Sequence, residues 1–208
     1  MANHVHFNIN LDLDDGQIAL LEDTMKKVET ENGEMKWKSW TAEELPIYPK
    51  PYDENDWYGW GCESMGAKWV TIEDYDSNYM SGHSAWSPPN PMVENLVQYI
   101  FDKVGSDVRA TMTYEDEFRN FVGKVYVQSY YHDGDVDEEK WYAVAGDPIE
   151  TDGDELMEQM LNDYPFLRKE YEGDDFDWFE LYKDKESDEK ICPSELMDDY
   201  VHNFMENN

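Results

Sequence analysis

A chain of 208 residues suits one large domain, or one domain with an elaborated extension, and is short for two independent cores. Eight Trp, fifteen Tyr and eight Phe supply ample material for a packed interior and argue against disorder. A net charge of −33, from 49 acidic against 16 basic residues, disfavours direct contact with nucleic acid or anionic membrane, because either requires a basic face that releases counterions.

The acids are unevenly spread. Residues 133–208 hold 26 acids and 6 bases, a net of −20, whereas residues 1–132 hold 23 acids and 10 bases, a net of −13. Three readings fit this excess: solubility, adaptation to a salty cytoplasm, or imitation of phosphate spacing to occupy a basic groove on another protein. The first two need fewer assumptions. No apolar run approaches the roughly 20 residues that cross a bilayer, and Met1-Ala2-Asn3-His4 lacks the regions of a signal peptide, so a cytoplasmic location is expected. Cys62 and Cys192 belong to no Cys-x-x-Cys pair and read as ordinary thiols.

In chain order, residues 3–11 alternate with Val5, Phe7, Ile9 and Leu11 on one face and His4, His6, Asn8 and Asn10 on the other, the period of a half-buried strand. Asp14 or Asp15 caps a helix predicted to run to about Thr30, with Ile18, Leu21, Met25 and Val28 as its stripe and Asn32-Gly33 as its stop. Residues 34–66 lose periodicity and accumulate prolines and aromatics, which predicts an ordered insertion packed on the domain around a short helix at Thr41–Leu45. Strands at Ala67–Glu73 and Tyr79–Trp86 follow, joined through a turn at Asp74–Asn78.

Pro88, Pro89 and Pro91 introduce a helix to about Val104 that Gly105 stops, and Val108, Ala110, Met112 and Tyr114 alternate as a further strand. The order is β-α-β-β-α-β, expected to form an α+β antiparallel sheet with helices on one face. A hairpin from Phe121–Tyr131 to Trp141–Ala145 around Asp133–Glu139 extends the sheet. Helices at Asp154–Asp163 and Pro193–Met205 and a strand at Phe176–Tyr182 complete the reading. The expected division is a domain over 1–150, with its insertion at 34–66, and an acidic extension over 151–208 packed on it.

The stretch Gly66-Ala67-Lys68-Trp69, then Ser84-Ala85-Trp86-Ser87-Pro88-Pro89-Asn90-Pro91, then Phe121-Val122-Gly123 is similar to the pattern of the YubB-like ferredoxin-like domain family of plasmids, phages and bacterial genomes. That family shows an Asn-Trp-Gly-Thr-Lys-Trp-Asp block, a Thr-Ala-Trp-Ser-Pro-Pro block before a helix, and a Phe-Ala-Gly block. The first block departs here, keeping only its glycine, lysine and tryptophan, and the resemblance covers about residues 1–130. It implies a ferredoxin-like fold and a mobile-element or phage origin, with no iron–sulfur cluster, no cofactor and no catalytic residue to carry over.

The residues chosen as candidates are few. A structural junction that fixes Trp86 over the sheet accounts for the Ala-Trp-Ser-Pro-Pro block; the functional alternative is that Trp69 and Trp86 line a pocket for a ring or a peptide side chain. Trp57, Tyr58 and Trp60 in the insertion are candidate binding aromatics. His4 and His6 share a strand face, and His83 on a neighbouring strand would make a third metal ligand; paired polar residues on an exposed strand face are the plainer account. Asp133-Gly134-Asp135-Val136-Asp137 has the start of a calcium loop, but Glu138 and Val144 stand where glycine and a bidentate acid belong. No phosphate cradle, nucleophile elbow or Cys–His pairing is present. The leading expectation is a non-enzymatic accessory protein that binds a protein partner. Its alternatives are an acidic nucleic-acid mimic, with carboxylates over 133–199, and an enzyme with an unrecognised carboxylate or histidine site. A homodimer through an open sheet face or edge is compatible with all three.

Overall fold

The computed structural model of the chain describes residues 3–25, 27–29, 35–37, 40–132, 140–173, 176–183 and 190–207. They form two compact units, Met1–Phe118 with Lys124–Pro148, and Arg119–Gly123 with Ile149–Asn208. The chain is α+β with a mostly antiparallel sheet.

The first unit begins with β1 (His4–Asp12), where the alternation read from the sequence becomes geometry: Val5, Phe7, Ile9 and Leu11 are buried, while His4, His6 and Asn10 are exposed. Helix α1 (Asp15–Thr24) follows, started by a capping box in which the Asp14 carboxylate accepts the Gln17 N–H at 2.9 Å and the Gln17 side chain accepts the Asp14 N–H at 2.8 Å. The helix ends six residues before the expected Thr30. The Thr24 hydroxyl turns back on the Leu20 carbonyl at 2.8 Å, and Val28 lies in β2 (Lys27–Glu29), paired with β3 (Met35–Trp37). The expected stop at Asn32-Gly33 lies outside the described residues.

Next come β4 (Trp40–Thr41), single 3-10 turns at Ala42–Glu44 and Glu54–Asp56, and α2 (Trp57–Ser64). Strands β5 (Lys68–Asp76) and β6 (Tyr79–Ala85) turn tightly through Ser77-Asn78, so β5 runs through most of the stretch expected to be loop. Helix α3 (Asn90–Val104) carries a proline in its first turn and ends at Gly105 in the left-handed conformation, φ +75°. No side chain caps its start; Ser87, three residues ahead of it, donates its hydroxyl to the Gly66 carbonyl at 2.9 Å instead.

Strands β7 (Arg109–Asp116), β8 (Val122–His132, of which Val122 and Gly123 belong to the second unit) and β9 (Lys140–Ala145) complete this unit. The sheet order is β4-β5-β6-β1-β7-β8, with β9 paired to β8. Pairing is antiparallel for β4–β5, β5–β6, β6–β1, β1–β7 and β8–β9. The expected turn at Asp133–Glu139 and its acidic motif lie outside the described residues.

The inward faces of these strands pack with Leu21 of α1 and with Met92, Val93, Leu96, Val97 and Ile100 of α3, all buried. The opposite face carries His4, His6, Asn8, Asn10, Ser81 and His83, none of them buried. Gly82 allows β6 to approach its neighbour: a Cβ there would stand 1.9 Å from the Thr71 carbonyl oxygen and 2.9 Å from Phe7. Beside this close approach β5 is bulged, with register shifts between Lys68 and Thr71 and between Ile72 and Asp74.

The second unit comprises β10 (Ile149–Thr151), α4 (Gly153–Asp163), α5 (Pro165–Tyr171), β11 (Tyr182–Lys183), β12 (Lys190–Ile191) and α6 (Pro193–Asn207). Asp152 caps α4 by accepting the Glu155 N–H at 2.7 Å. Its core joins Val122 to Leu156, Met160, Leu161, Leu167, Ile191, Met197 and Val201. The strand expected over Phe176–Tyr182 is largely a turn, and only Tyr182–Lys183 pairs, with Lys190–Ile191. Asp177 closes that turn: its carboxylate accepts the Phe179 N–H at 2.9 Å, and its own N–H donates to the Tyr182 hydroxyl at 2.7 Å.

Candidate functional site

The aromatic insertion divides into a buried half and an exposed half. Helix α2 starts where the Asp56 carboxylate accepts the Gly59 N–H at 3.1 Å. From there Trp60 turns inward and is 5% exposed; its indole N–H donates to the Lys50 carbonyl at 3.2 Å. Tyr48 and Tyr52 meet its ring edge-on, with centroids 4.9 and 5.2 Å away. Trp60, expected among the binding aromatics, is therefore an anchor of the insertion and offers no free surface. Tyr48 is half-buried beside it, with its hydroxyl oxygen buried and unpartnered among the described residues, and burial first, with the Glu43 charge second, pushes that hydroxyl above the ordinary tyrosine range.

Trp57 and Tyr58 point the other way, 46% and 51% exposed and in edge-to-face contact at 5.8 Å. Two further tryptophans are held out by the backbone. Trp69, in the β5 bulge, has φ +49° and is 57% exposed; Trp86, just beyond β6, has φ +75° and is 55% exposed. A left-handed backbone at a bulky L-residue is strained, and here it directs a large apolar ring into solvent.

The junction holding Trp86 is well tied. Its N–H donates to the Asn3 carbonyl at 3.0 Å, the Ser84 hydroxyl donates to the Ser87 carbonyl at 2.7 Å, and the Ser87 hydroxyl reaches the Gly66 carbonyl. Gly66, at φ +79°, lies so close to α3 that a Cβ would fall 2.3 Å from the Pro91 ring. Tyr58, Cys62, Lys68, Ala85, Trp86 and Ser87 are among the residues lining a cavity of about 370 Å³ at this junction. The Lys68 ammonium sits 4.2 Å above the Tyr58 ring, and the Cys62 thiol is free and exposed. Trp69 does not join Trp86 in lining the cavity, as the sequence reading expected.

His4, His6 and His83 lie on the sheet face opposite the one that packs with α1 and α3. His4 and His83 stack with centroids 5.3 Å apart and 30° between planes, and His83 Nδ1 lies 3.0 Å from a Glu73 carboxylate oxygen. His6 faces His83 across β6 and Glu115 across β7. Among the described residues, no group of three or more His, Cys, Asp or Glu side chains is placed to hold a metal ion. Stacked rings keep their nitrogen lone pairs in nearly parallel planes, a poor arrangement for convergence on one ion.

Lys68 and Cys62 are site residues that the sequence reading did not select. Lys68 stood in the Gly66-Ala67-Lys68-Trp69 block without a role, and the signal for Cys62 was Asp56 three residues ahead of Gly59, a helix start that places Tyr58 and Cys62 on one face. Among the described residues, no helix is long and apolar enough to cross a membrane. No family model, curated protein or solved structure matches the chain.

Proposed function

We propose that this is a binding protein that engages a protein partner through the exposed aromatics Trp57, Tyr58, Trp69 and Trp86, acting as an accessory factor of a mobile element or phage rather than as an enzyme. What carries this reading is the pairing of exposure with backbone strain at two tryptophans: each stands more than half in solvent on a left-handed φ. Folding alone gives no reason to hold an indole outward at a cost of about 1–3 kcal/mol, whereas a partner that buries it does.

A ferredoxin-like core and YubB-like kinship belong to the same proposal. Their support is the order β7-β1-β6-β5, in which the strand after α3 and the strand before it flank β1, and the Ala-Trp-Ser-Pro-Pro block at the β6-to-α3 junction. The net charge of −33 favours a partner with a basic rim around an apolar centre. Retention of host proteins on the immobilised chain, compared between low and high salt and between the native chain and a Trp57→Ala, Trp86→Ala variant, tests the proposal. Retention that survives salt and is lost in the variant is expected. Retention that collapses with salt and ignores the variant would instead favour an acidic mimic.

A further inference from the structure

We propose that the cavity beside Trp86 captures a carboxylate carried on an aromatic or aliphatic body about the size of one amino-acid residue, with Lys68 as its charge partner. The inference rests on the aromatic-surface reading above and supplies the chemistry that anchors the partner there.

Lys68 is the starting point. Its ammonium lies over the Tyr58 ring and makes no ion pair among the described residues, in a chain with 49 acids to 16 bases. Three other cations of this chain are paired with carboxylates, Lys50 with Glu63, Arg119 with Asp198 and Arg168 with Glu158, and Lys103, which also lies over a ring, lines no such cavity. An ammonium left facing a concavity on a surface rich in carboxylates is a vacant anion partner. Its half-buried position on a ring face weakens its hydration and strengthens its attraction for an anion.

The walls define the rest of the ligand. Tyr58 and Trp86 offer ring surface, and the Ser87 hydroxyl is already committed to the Gly66 carbonyl, so the recognised group is apolar apart from its charge. A cavity of about 370 Å³ accommodates a single residue. It lies near the lower end of the roughly 300–1,000 Å³ seen for small-ligand sites. The overall negative field opposes anions at long range, but at physiological salt it is screened over about 8 Å, so only an anion that also buries apolar surface gains enough to stay. The C-terminal residue of a peptide and a free aromatic acid share this chemistry.

Cys62 provides the readout, since it lines the cavity and is exposed. In a Cys192→Ser background, the rate of alkylation by N-ethylmaleimide is measured with Gly-Gly-Phe, the same peptide amidated at its C-terminus, and N-acetylphenylalanine. The free-acid peptide is expected to slow labelling at least threefold, the amide to need about tenfold higher concentration for equal protection, Lys68→Met to erase that preference and Lys68→Arg to keep it. Stronger protection by the tripeptide than by N-acetylphenylalanine identifies a chain terminus as the source, and equal protection a free acid. Equal protection by acid and amide, or a preference that survives Lys68→Met, overturns the carboxylate inference and leaves the aromatic surface standing. Absence of protection by every probe also overturns it, and the salt and variant dependence of partner retention then decides separately whether the aromatic surface falls.

Discussion

If Trp86 is held at φ +75°, replacing it with alanine and with glycine should give stabilities in the reverse of their usual order. Both substitutions remove the indole and its packing, so their difference isolates the Cβ. An L-residue in the left-handed region carries about 1–2 kcal/mol of strain that glycine lacks. Glycine in turn loses about 0.4–1 kcal/mol through the greater freedom of the unfolded chain. The balance leaves Trp86→Gly more stable than Trp86→Ala by about 0.5–1 kcal/mol. In urea, with a slope of about 2–3 kcal/mol/M, that is a midpoint about 0.2–0.5 M higher for the glycine variant. Tyr126, exposed in β8 and free of positive φ, provides the control, where alanine should outlast glycine. The same reversal is expected at Trp69, φ +49°. Equal midpoints, or the ordinary order at both tryptophans, would refute the strain on which the binding proposal leans.

Gly82→Ala should destabilise by at least about 1–3 kcal/mol in the same assay, because its Cβ would overlap the Thr71 carbonyl oxygen and only a shift of β5 relieves it. Tyr48→Phe removes a buried hydroxyl that has no partner among the described residues and should stabilise by about 1 kcal/mol at neutral pH, measured by denaturant titration. The raised hydroxyls of Tyr48 and Tyr75 set the alkaline behaviour: a raised folded-state value gives stability that is complete below the unfolded tyrosine value of about 10 and lost above it. Thermal melts should fall as pH rises beyond about 10, and Tyr48→Phe should flatten that fall in part. Asp14→Ala removes the carboxylate that accepts the Gln17 N–H, leaves the backbone arm of the capping box of α1 in place, and should cost about 0.5–2 kcal/mol, whereas Asp15→Ala, one position on, should cost less.

The elements that could be read from the sequence are those in which one local pattern dominates. The alternation around Phe7 and Ile9, the Pro91 start and Gly105 stop of α3, and the alternation through Ala110 and Met112 each meet a single burial environment, so period and outcome coincide. Val28 shows the opposite case: its spacing from Leu21 and Met25 fits a helix, but pairing with Lys36 places it in a strand. Helix α2 escaped because Trp57, Tyr58 and Trp60 are all large rings whatever side they face, and only three-dimensional placement tells the buried Trp60 from its exposed neighbours. Within the candidate site, the aromatic identities were legible and the left-handed backbone was not, since nothing in the letters Trp69 or Trp86 announces a positive φ. Lys68 went unselected because its lack of an ion pair among the described residues is a matter of which carboxylates come near it in space, and sequence order does not carry that.

The short segment Arg119–Gly123 belongs with the second unit although chain from the first precedes and follows it. Val122, wholly buried, is part of the core that Leu156 and Met160 complete, and the Arg119 carbonyl accepts the Gly153 N–H at 2.8 Å. The covalent thread therefore passes between the units three times. A truncation after Pro148 would strip the apolar cover from Val122, and an isolated 149–208 fragment would lack the residue that plugs its own interior. The acidic region thus cannot be excised as an autonomous tail, and its charge is tied to the integrity of the whole polypeptide.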